Sequence, residues 1–163
     1  MENTTNYVTN KVRGFEVVAD AHRKHPTTII ALPKRGSKYS AGYDFYLQES
    51  VTIPPRASVL VWTDVKAYMQ EDEVLKMYVR SSVGTKLGVV LKNGTGIIDS
   101  DYYSNENNDG NIGICLRNTN HSQTVTLEKG ERVAQGIFQK YLVADEDNTE
   151  SERTGGFGST VID

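Results

Sequence analysis

Two aspartates and a tyrosine near the middle of the chain form the group of residues best suited to chemistry. The stretch from Asn93 to Tyr102 reads Asn-Gly-Thr-Gly-Ile-Ile-Asp-Ser-Asp-Tyr. Its asparagine and glycines predict a β-hairpin or a tight strand reversal, and Asp99 follows an apolar pair. A carboxylate held on such a stiff element could orient a water molecule as a general base. The alternative is a surface turn with solvated aspartates, because turns are rich in Asp, Asn and Gly.

The neighbours of Asp99 suit the binding of a flat ligand. Gly96 lacks a Cβ, so a ligand could lie close to backbone N–H and C=O groups. Tyr102 offers an apolar face with a polar tip, which suits packing on a sugar or a base.

Arginines and hydroxyls at two other places could bind an anion. Arg80, Ser81 and Ser82 follow an apolar run, and an arginine fork beside two hydroxyls fits phosphate oxygens. A helix cap with a solvated arginine is the alternative. Near the end of the chain, Arg153 precedes a glycine-rich run in which backbone amides could wrap phosphates and Phe157 could cover a base. A plain disordered tail is the alternative there.

Two polar residues are predicted within apolar strands. Asp44 lies between two aromatic residues, and Gln135 alternates with Val133 and Ile137. If these side chains face inward, they need hydrogen-bond partners. Asp44 could instead be exposed at a strand end, and Gln135 could bond a backbone group.

Composition bounds the class of protein. The chain has 163 residues, enough for one domain with a full core, and its net charge of −3 argues against direct nucleic-acid binding through a basic face. The single cysteine, Cys115, excludes an intramolecular disulfide and is expected to be a small core residue. Three scattered histidines give no zinc site. Neither a signal-type segment nor a run of 18 apolar residues is present, so we expect a cytoplasmic protein without membrane contact.

The strand pattern predicts an all-β protein. About ten strand candidates occur at roughly even spacing, which favours a sandwich or jelly roll with at most one short helix, beginning near Ser81. Segments 27–32 and 58–69 are among the predicted strands, and 34–40 is predicted to be a loop. Residues 1–144 are expected to form the domain, and 145–163 a flexible acidic linker with a glycine-rich lid.

Five stretches, in order, resemble the five motifs of the trimeric dUTP pyrophosphatases (dUTPases). The run from Gly96 to Tyr102 is similar to the third motif. The others are Ala41-Gly42-Tyr43-Asp44-Phe45, Arg80-Ser81-Ser82-Val83-Gly84, Gly130-Glu131-Arg132-Val133-Ala134-Gln135 and Arg153-Thr154-Gly155-Gly156-Phe157-Gly158-Ser159-Thr160. Departures include a longer polar loop at 103–110 and an arginine one residue closer to the double glycine of the fifth motif.

The resemblance implies a jelly-roll-like enzyme that hydrolyses dUTP to dUMP and pyrophosphate, keeping uracil out of DNA. It implies that Asp99 activates the water that attacks the α-phosphorus. The remaining roles it implies are uracil reading by Asn93, Gly96, Ile97 and Ile98; deoxyribose packing by Tyr102; phosphate binding by Arg80, Ser81, Ser82, Gln135, Arg153, Gly158 and Ser159; base stacking by Phe157; and structural support by Asp44 and Arg132.

The resemblance also implies the partners. Mg²⁺ is expected through substrate phosphates and water, with no direct protein ligand. A homotrimer with sites at its subunit interfaces is expected. Two alternatives stay open: a phage-type regulatory dUTPase that binds a repressor protein, and a dCTP deaminase, whose third-motif region uses a glutamate base.

Overall fold

The structure, a computed structural model, describes residues 10–156 and is built from strands with one short helix. The strands are β1 (Gly14–Val17), β2 (Lys34–Arg35), β3 (Tyr43–Tyr46), β4 (Val51–Ile53), β5 (Ser58–Trp62), β6 (Val65–Tyr68), β7 (Glu73–Val79), β8 (Val89–Leu91), β9 (Gly96–Asp99), β10 (Gly113–Asn118), β11 (Val125–Leu127) and β12 (Arg132–Lys140). The helix α1 is Ser81–Leu87, and short 3₁₀ turns occur at Asp20–His22 and Ser100–Tyr102.

The strands form four antiparallel sheets. The largest has the order β2-β3-β12-β7-β9, and a second has the order β5-β10-β8. Two-stranded sheets pair β1 with β6 and β4 with β11. This arrangement confirms the all-β, jelly-roll-like fold with one short helix.

One apolar core lies between the sheets. Its members are mainly the side chains that point inward from the strands, since side chains alternate between the two faces of a sheet. Phe45, Leu75, Ile112 and Leu116 are almost completely buried. Phe15 packs edge-on against Phe45 at a centroid distance of 5.5 Å. The core therefore holds the two main sheets face to face and fixes the strands that carry the site.

The short helix has a clear beginning and end. It starts after the extended residue Arg80 and stops at Gly88, whose φ of 66° places it in the left-handed region. Glycine adopts that conformation without a Cβ penalty and commonly ends helices. The predicted short helix at Ser81 is therefore confirmed.

Two strand predictions were wrong. Residues 27–32 form no strand, because no neighbouring strand pairs with them and Ile29 is 97% exposed, while a two-residue strand occurs instead at Lys34–Arg35. The predicted strand 58–69 is broken at Asp64, which has a φ of 55° and a fully buried carboxylate. That carboxylate accepts hydrogen bonds from the backbone of Lys24 and His25, so the chain turns there into another sheet.

The turn at Asn93–Thr95 is a strand reversal rather than a hairpin. Gly94 has a φ of 78°, which suits glycine. The two strands that it connects do not pair with each other, since β8 pairs with β10 and β9 pairs with β7. The reversal therefore carries the chain from one sheet to the other.

No helix within residues 10–156 is long and apolar enough to cross a membrane.

Candidate active site

A cavity of about 280 Å³ opens between β9 and β10. Seven of the residues singled out in the sequence line it: Asn93, Gly96, Ile97, Ile98, Asp99, Tyr102 and Arg153. Five further residues complete the lining: Met77, Leu91, Gly113, Ile114 and Cys115. The cavity is therefore part polar and part apolar, as a site for a nucleobase and sugar would be.

Asp99 stands at the rim of this cavity, where β9 ends. Its side chain is half exposed, so it can reach both solvent and a bound molecule. Arg153 Nη2 lies 2.6 Å from Asp99 Oδ2, and Arg153 Nε lies 2.8 Å from Asp101 Oδ1. The arginine thus bridges the two carboxylates of the central stretch and returns the C-terminal segment to the cavity of its own chain.

The surroundings of Asp99 raise its pKa above the usual value for an aspartate. Burial makes the largest contribution because it disfavours the charged form, and the nearby charge of Asp101 adds to it. The Arg153 guanidinium acts in the opposite direction and lowers the pKa. A carboxyl with a raised pKa is a stronger base once ionised, which suits proton abstraction from water.

Tyr102 lines the cavity and is held in place by two hydrogen bonds at its hydroxyl. The residue is only 6% exposed; its hydroxyl donates a hydrogen bond of 2.6 Å to the Asn111 carbonyl and accepts one of 2.8 Å from Asn108 Nδ2. The Arg153 guanidinium lies 6.0 Å from the ring centroid. The ring is thus fixed at its polar tip.

Gly96 gives the cavity its width. It lies opposite Met77 in the antiparallel pairing of β7 with β9, and a Cβ at this position would stand 2.8 Å from Met77 Cβ. Of the two following residues, Ile97 is 53% exposed whereas Ile98 packs against the core. Both isoleucines also line the cavity, so the cavity reaches from the exposed face of β9 to the edge of the core.

A second, smaller pocket of about 140 Å³ collects the other polar residues. It is lined by Gly36, Ser40, Gly42, Asp44, Arg80, Ser81 and Gln135. Asp44 is almost buried and forms ion pairs with Arg80 Nε at 3.1 Å and Arg132 Nη1 at 3.4 Å. The carboxylate therefore fixes the Arg80 guanidinium beside the first turn of α1.

Gln135 lies in this pocket with Arg80 and Ser81, whereas Ser82 does not. Gln135 is half-buried and faces this second pocket rather than the apolar core, since it lies opposite Asp44 in the pairing of β12 with β3. A Cβ on Gly42 would collide with the Gln135 amide oxygen, so the glycine makes room for that side chain. Ser82 is exposed on α1 and is not among the residues that line the pocket.

The two pockets are far apart on one chain. Asp99 lies opposite Val74, and Arg80 directly follows the end of β7. The six residue-to-residue steps from Val74 to Arg80 span about 20 Å at the usual rise of an extended chain. Arg80 and Asp99 of the same chain therefore do not reach one another.

Sequence reasoning missed the wall of the cavity on β10. Cys115 was expected in the core, but it is only partly buried and lines the cavity next to Ile114. Gly113 carried a detectable signal, since a glycine inside an alternating strand often marks a close approach; a Cβ there would stand 2.9 Å from the Trp62 ring. Asn108 donates a hydrogen bond to the Tyr102 hydroxyl, but no sequence pattern distinguishes it from the other polar residues of its loop.

Phe157, Gly158 and Ser159 lie outside the described residues. Within residues 10–156, no group of three or more His, Cys, Asp or Glu side chains is arranged to hold a metal ion. The two carboxylates at the cavity are both engaged by Arg153.

Comparisons with known proteins agree with this geometry. A family model described as dUTPase matches residues 28–161. The deoxyuridine 5'-triphosphate nucleotidohydrolase of Lactococcus lactis is 49% identical over 152 residues, covering 92% of this chain and 98% of that protein.

Solved structures give the same result. The crystal structure of dUTPase from Streptococcus mutans has a TM-score of 0.70 and 46% identity, covering 81% of this chain and 98% of that one. A mutant dUTPase from phage phi11 of S. aureus, which coordinates a structural Mg(II) ion, has a TM-score of 0.65 over 86% of this chain and 97% of that one; at 22% identity it supports the fold alone. Because the family model spans most of the chain and a full-length relative is nearly half identical, this chain belongs to the dUTPase family.

Proposed function

We propose that the protein hydrolyses dUTP to dUMP and pyrophosphate, with Asp99 as the general base for water attack on the α-phosphorus. The observation that carries this proposal is the position of Asp99, a half-exposed carboxylate with a raised pKa at the rim of a base-sized cavity. In the cytoplasm such an activity would keep uracil out of DNA and supply dUMP.

Uracil recognition would use the backbone of β9. This strand is at the edge of the five-stranded sheet and pairs only with β7 among the described strands. Edge strands present N–H and C=O groups that a ligand can bond, and a uracil edge offers both an acceptor and a donor. Asn93 lines the same wall. Cytosine would leave a buried group unpaired, which discriminates strongly against it.

The sugar would pack on Tyr102. The ring is fixed by two hydrogen bonds at its hydroxyl, so it cannot swing away to admit a larger group. A 2′-hydroxyl on the sugar would then meet a closely packed aromatic face. This rigidity supports discrimination between dUTP and UTP.

The triphosphate would be held by the second pocket. Arg80 and Ser81 line it together with the Gln135 amide, and Asp44 with Arg132 keeps Arg80 in place. An arginine fork is well suited to phosphate oxygens. We assign Ser82 to the same binding role, together with Arg153, Gly158 and Ser159 from the tail, with Phe157 stacking on the base. Residues 145–163 would then act as linker and lid to the domain of residues 1–144.

A complete site would need more than one subunit. Because about 20 Å of extended strand separates Arg80 from Asp99 on one chain, the phosphate pocket that serves a given Asp99 would come from a neighbouring copy. We propose a homotrimer that shares its sites in this way. The exposed apolar side chains of Leu142 and Val143, just after β12, are suited to burial in such an assembly.

Mg²⁺ would enter with the substrate. Mg²⁺ usually keeps several waters and binds substrate phosphates, so we expect an ion held by phosphate oxygens and water. When bound, it would neutralise charge on the departing pyrophosphate.

The alternatives have less support. A dCTP deaminase is disfavoured because the family model that matches is that of dUTPase. For a repressor-binding role, the candidate partner surfaces are the polar N-terminal arm and the polar loop 103–110. The loop is a compact turn that packs on its own chain through Asp109 and Lys66.

The test is a substrate panel. Pyrophosphate release is measured from dUTP, UTP, dTTP and dCTP with Mg²⁺, for the wild-type protein and for Asp99→Asn. We expect turnover of dUTP alone and a loss of several orders of magnitude in the variant. Turnover of dUTP that survives in a folded Asp99→Asn protein would refute the assigned base.

A further inference from the structure

Asn108 lies between two parts of the cavity wall, the Tyr102 ring and the C-terminal segment. Its Nδ2 donates a hydrogen bond of 2.8 Å to the Tyr102 hydroxyl. The same amide group occupies the space beside Gly156, because a Cβ on that glycine would stand 2.7 Å from Asn108 Nδ2 and 3.1 Å from Asn108 Oδ1. The Tyr102 hydroxyl and the Cβ position of Gly156 therefore both lie against the same planar amide.

The Asn108 side chain is itself held rigidly. Its Oδ1 accepts hydrogen bonds from Asn105 Nδ2 at 2.7 Å and from the Gly110 backbone at 3.0 Å. Gly110 has a φ of 85°, and a Cβ there would approach the Tyr102 carbonyl to 2.9 Å. The loop is therefore folded tightly under Tyr102 around this one amide.

The loop is also fastened to the main body of the protein. Lys66 on β6 is nearly buried, and its Nζ lies 2.9 Å from Asp109 Oδ2 and 3.1 Å from Ser104 Oγ. Asp109 Oδ2 also accepts a hydrogen bond of 2.7 Å from the Ala19 backbone N–H. These contacts hold the loop, and with it the Asn108 amide, in a fixed position on the body of the protein.

The C-terminal segment packs against the Asn108 amide. Gly155 and Gly156 are buried, and Arg153 anchors the start of the segment at Asp99 and Asp101. Gly156 needs no unusual φ, so it is the space taken by Asn108 that demands glycine at this position. The loop that departs from the family pattern thus supplies the surface on which the segment lies.

We propose that Asn108 is a positioning residue that couples docking of the C-terminal segment to the orientation of the Tyr102 ring. When Gly156 lies against the amide, the amide is held where it bonds the Tyr102 hydroxyl, and the ring takes the position that excludes a 2′-hydroxyl. Selectivity for the deoxyribose therefore depends on the segment being seated. This inference rests on the proposed hydrolysis of dUTP.

The first test measures sugar selectivity as the ratio of kcat/KM for dUTP to that for UTP. Losing one hydrogen bond should lower this ratio by about three- to tenfold in Asn108→Ala. Asn108→Asp keeps the size and the acceptor oxygens but loses the N–H donor, so it should show the same loss even if the alanine variant folds poorly. Asn107→Ala is the matched control, because Asn107 is an exposed residue of the same loop. Ratios for both Asn108 variants equal to that of the control would overturn the proposal.

The second test measures how well the C-terminal segment is protected from a protease, and it needs no turnover. Trypsin cleavage after Arg153 is followed by mass spectrometry, with and without a non-hydrolysable imido analogue of dUTP. In Gly156→Ala, the analogue should no longer protect the segment from cleavage after Arg153. The double variant Gly156→Ala/Asn108→Ala should regain part of this protection, because the clash between the new Cβ and the Asn108 amide is removed. Additive losses in the double variant would overturn the coupling.

The two tests separate this inference from the proposed function. A wild-type protein that lacks dUTP turnover contradicts the proposed hydrolysis, whereas the protease experiment still decides whether Asn108 seats Gly156. A wild-type protein that hydrolyses dUTP while the Asn108 variants keep full selectivity contradicts this inference alone.

Discussion

Arg153 Nη2 lies 2.6 Å from Asp99 Oδ2, so the C-terminal segment contacts the very carboxylate that we assign as the base. The same guanidinium holds Asp101 at 2.8 Å. Two like charges close together are thereby neutralised in part by one cation. The ionisation of Asp99 is consequently linked to the position of the segment.

The pH dependence of activity should reveal this link. Burial and Asp101 raise the pKa of Asp99, so the acid limb of kcat/KM should lie above the range of an ordinary aspartate. Because Arg153 lowers that pKa, Arg153→Ala should move the limb to still higher pH, where more alkaline solution is needed to ionise the base. Arg153→Lys retains the charge and should leave the limb near its wild-type position. An identical limb in wild-type and Arg153→Ala would show that the ion pair is absent from the free enzyme.

A shared site predicts complementation between two inactive proteins. Arg80→Ala removes the proposed phosphate ligand and Asp99→Asn removes the proposed base, so each variant should be nearly inactive in the proposed homotrimer. In trimers formed by refolding the two variants together in equal amounts, about a quarter of the sites should combine an intact Arg80 with an intact Asp99 from different subunits. Dilution assays of the mixture, compared with the variants mixed without refolding, measure this recovery. No recovery would place both residues in the site of one chain.

The space at Gly42 predicts another pair of variants. A Cβ at Gly42 would displace the Gln135 amide from the second pocket, where we propose that phosphates bind. Gly42→Ala should lower kcat/KM for dUTP by about tenfold, the value of one hydrogen bond to a charged group. Gly42→Ala/Gln135→Ala should be no worse than Gln135→Ala. A further drop in the double variant would mean that the glycine serves some other contact.

Much of the fold followed from the sequence, because alternation of apolar residues reports directly on buried strands such as β7 and β12. The errors have physical causes. Segment 27–32 has β-branched residues but no partner strand, and strand propensity alone does not create a ladder. The break at Asp64 depends on backbone partners some 40 residues away, which no local pattern shows.

Many of the residues that line the two pockets were predicted from the sequence, whereas their division between the pockets was not. The five motifs include Asp99, Tyr102 and Arg80, but their spacing along the chain does not reveal that these residues fall into two pockets. That division follows from the register of β7 with β9. Cys115 and Asn108 were missed because their roles arise from contacts between distant segments.

Cys115 offers a test of the cavity that needs no turnover. It is the only cysteine of the chain and lines the cavity. A maleimide should label it slowly in the native protein, and saturating dUMP should slow the reaction further, whereas UMP should have a smaller effect. Equal labelling in urea, with or without nucleotide, is the control for direct effects on the reagent. Labelling that dUMP does not change would place the nucleotide elsewhere.

The central claim, attack of water on the α-phosphorus, can be tested by the fate of the attacking oxygen. The wild-type protein hydrolyses dUTP in isotopically labelled water, and both products are analysed by mass spectrometry. If water attacks the α-phosphorus, the heavy oxygen should appear in dUMP, the pyrophosphate should remain unlabelled, and Asp99→Asn should form neither product at a comparable rate. Heavy oxygen in the pyrophosphate would show attack on the β-phosphorus and would contradict the mechanism.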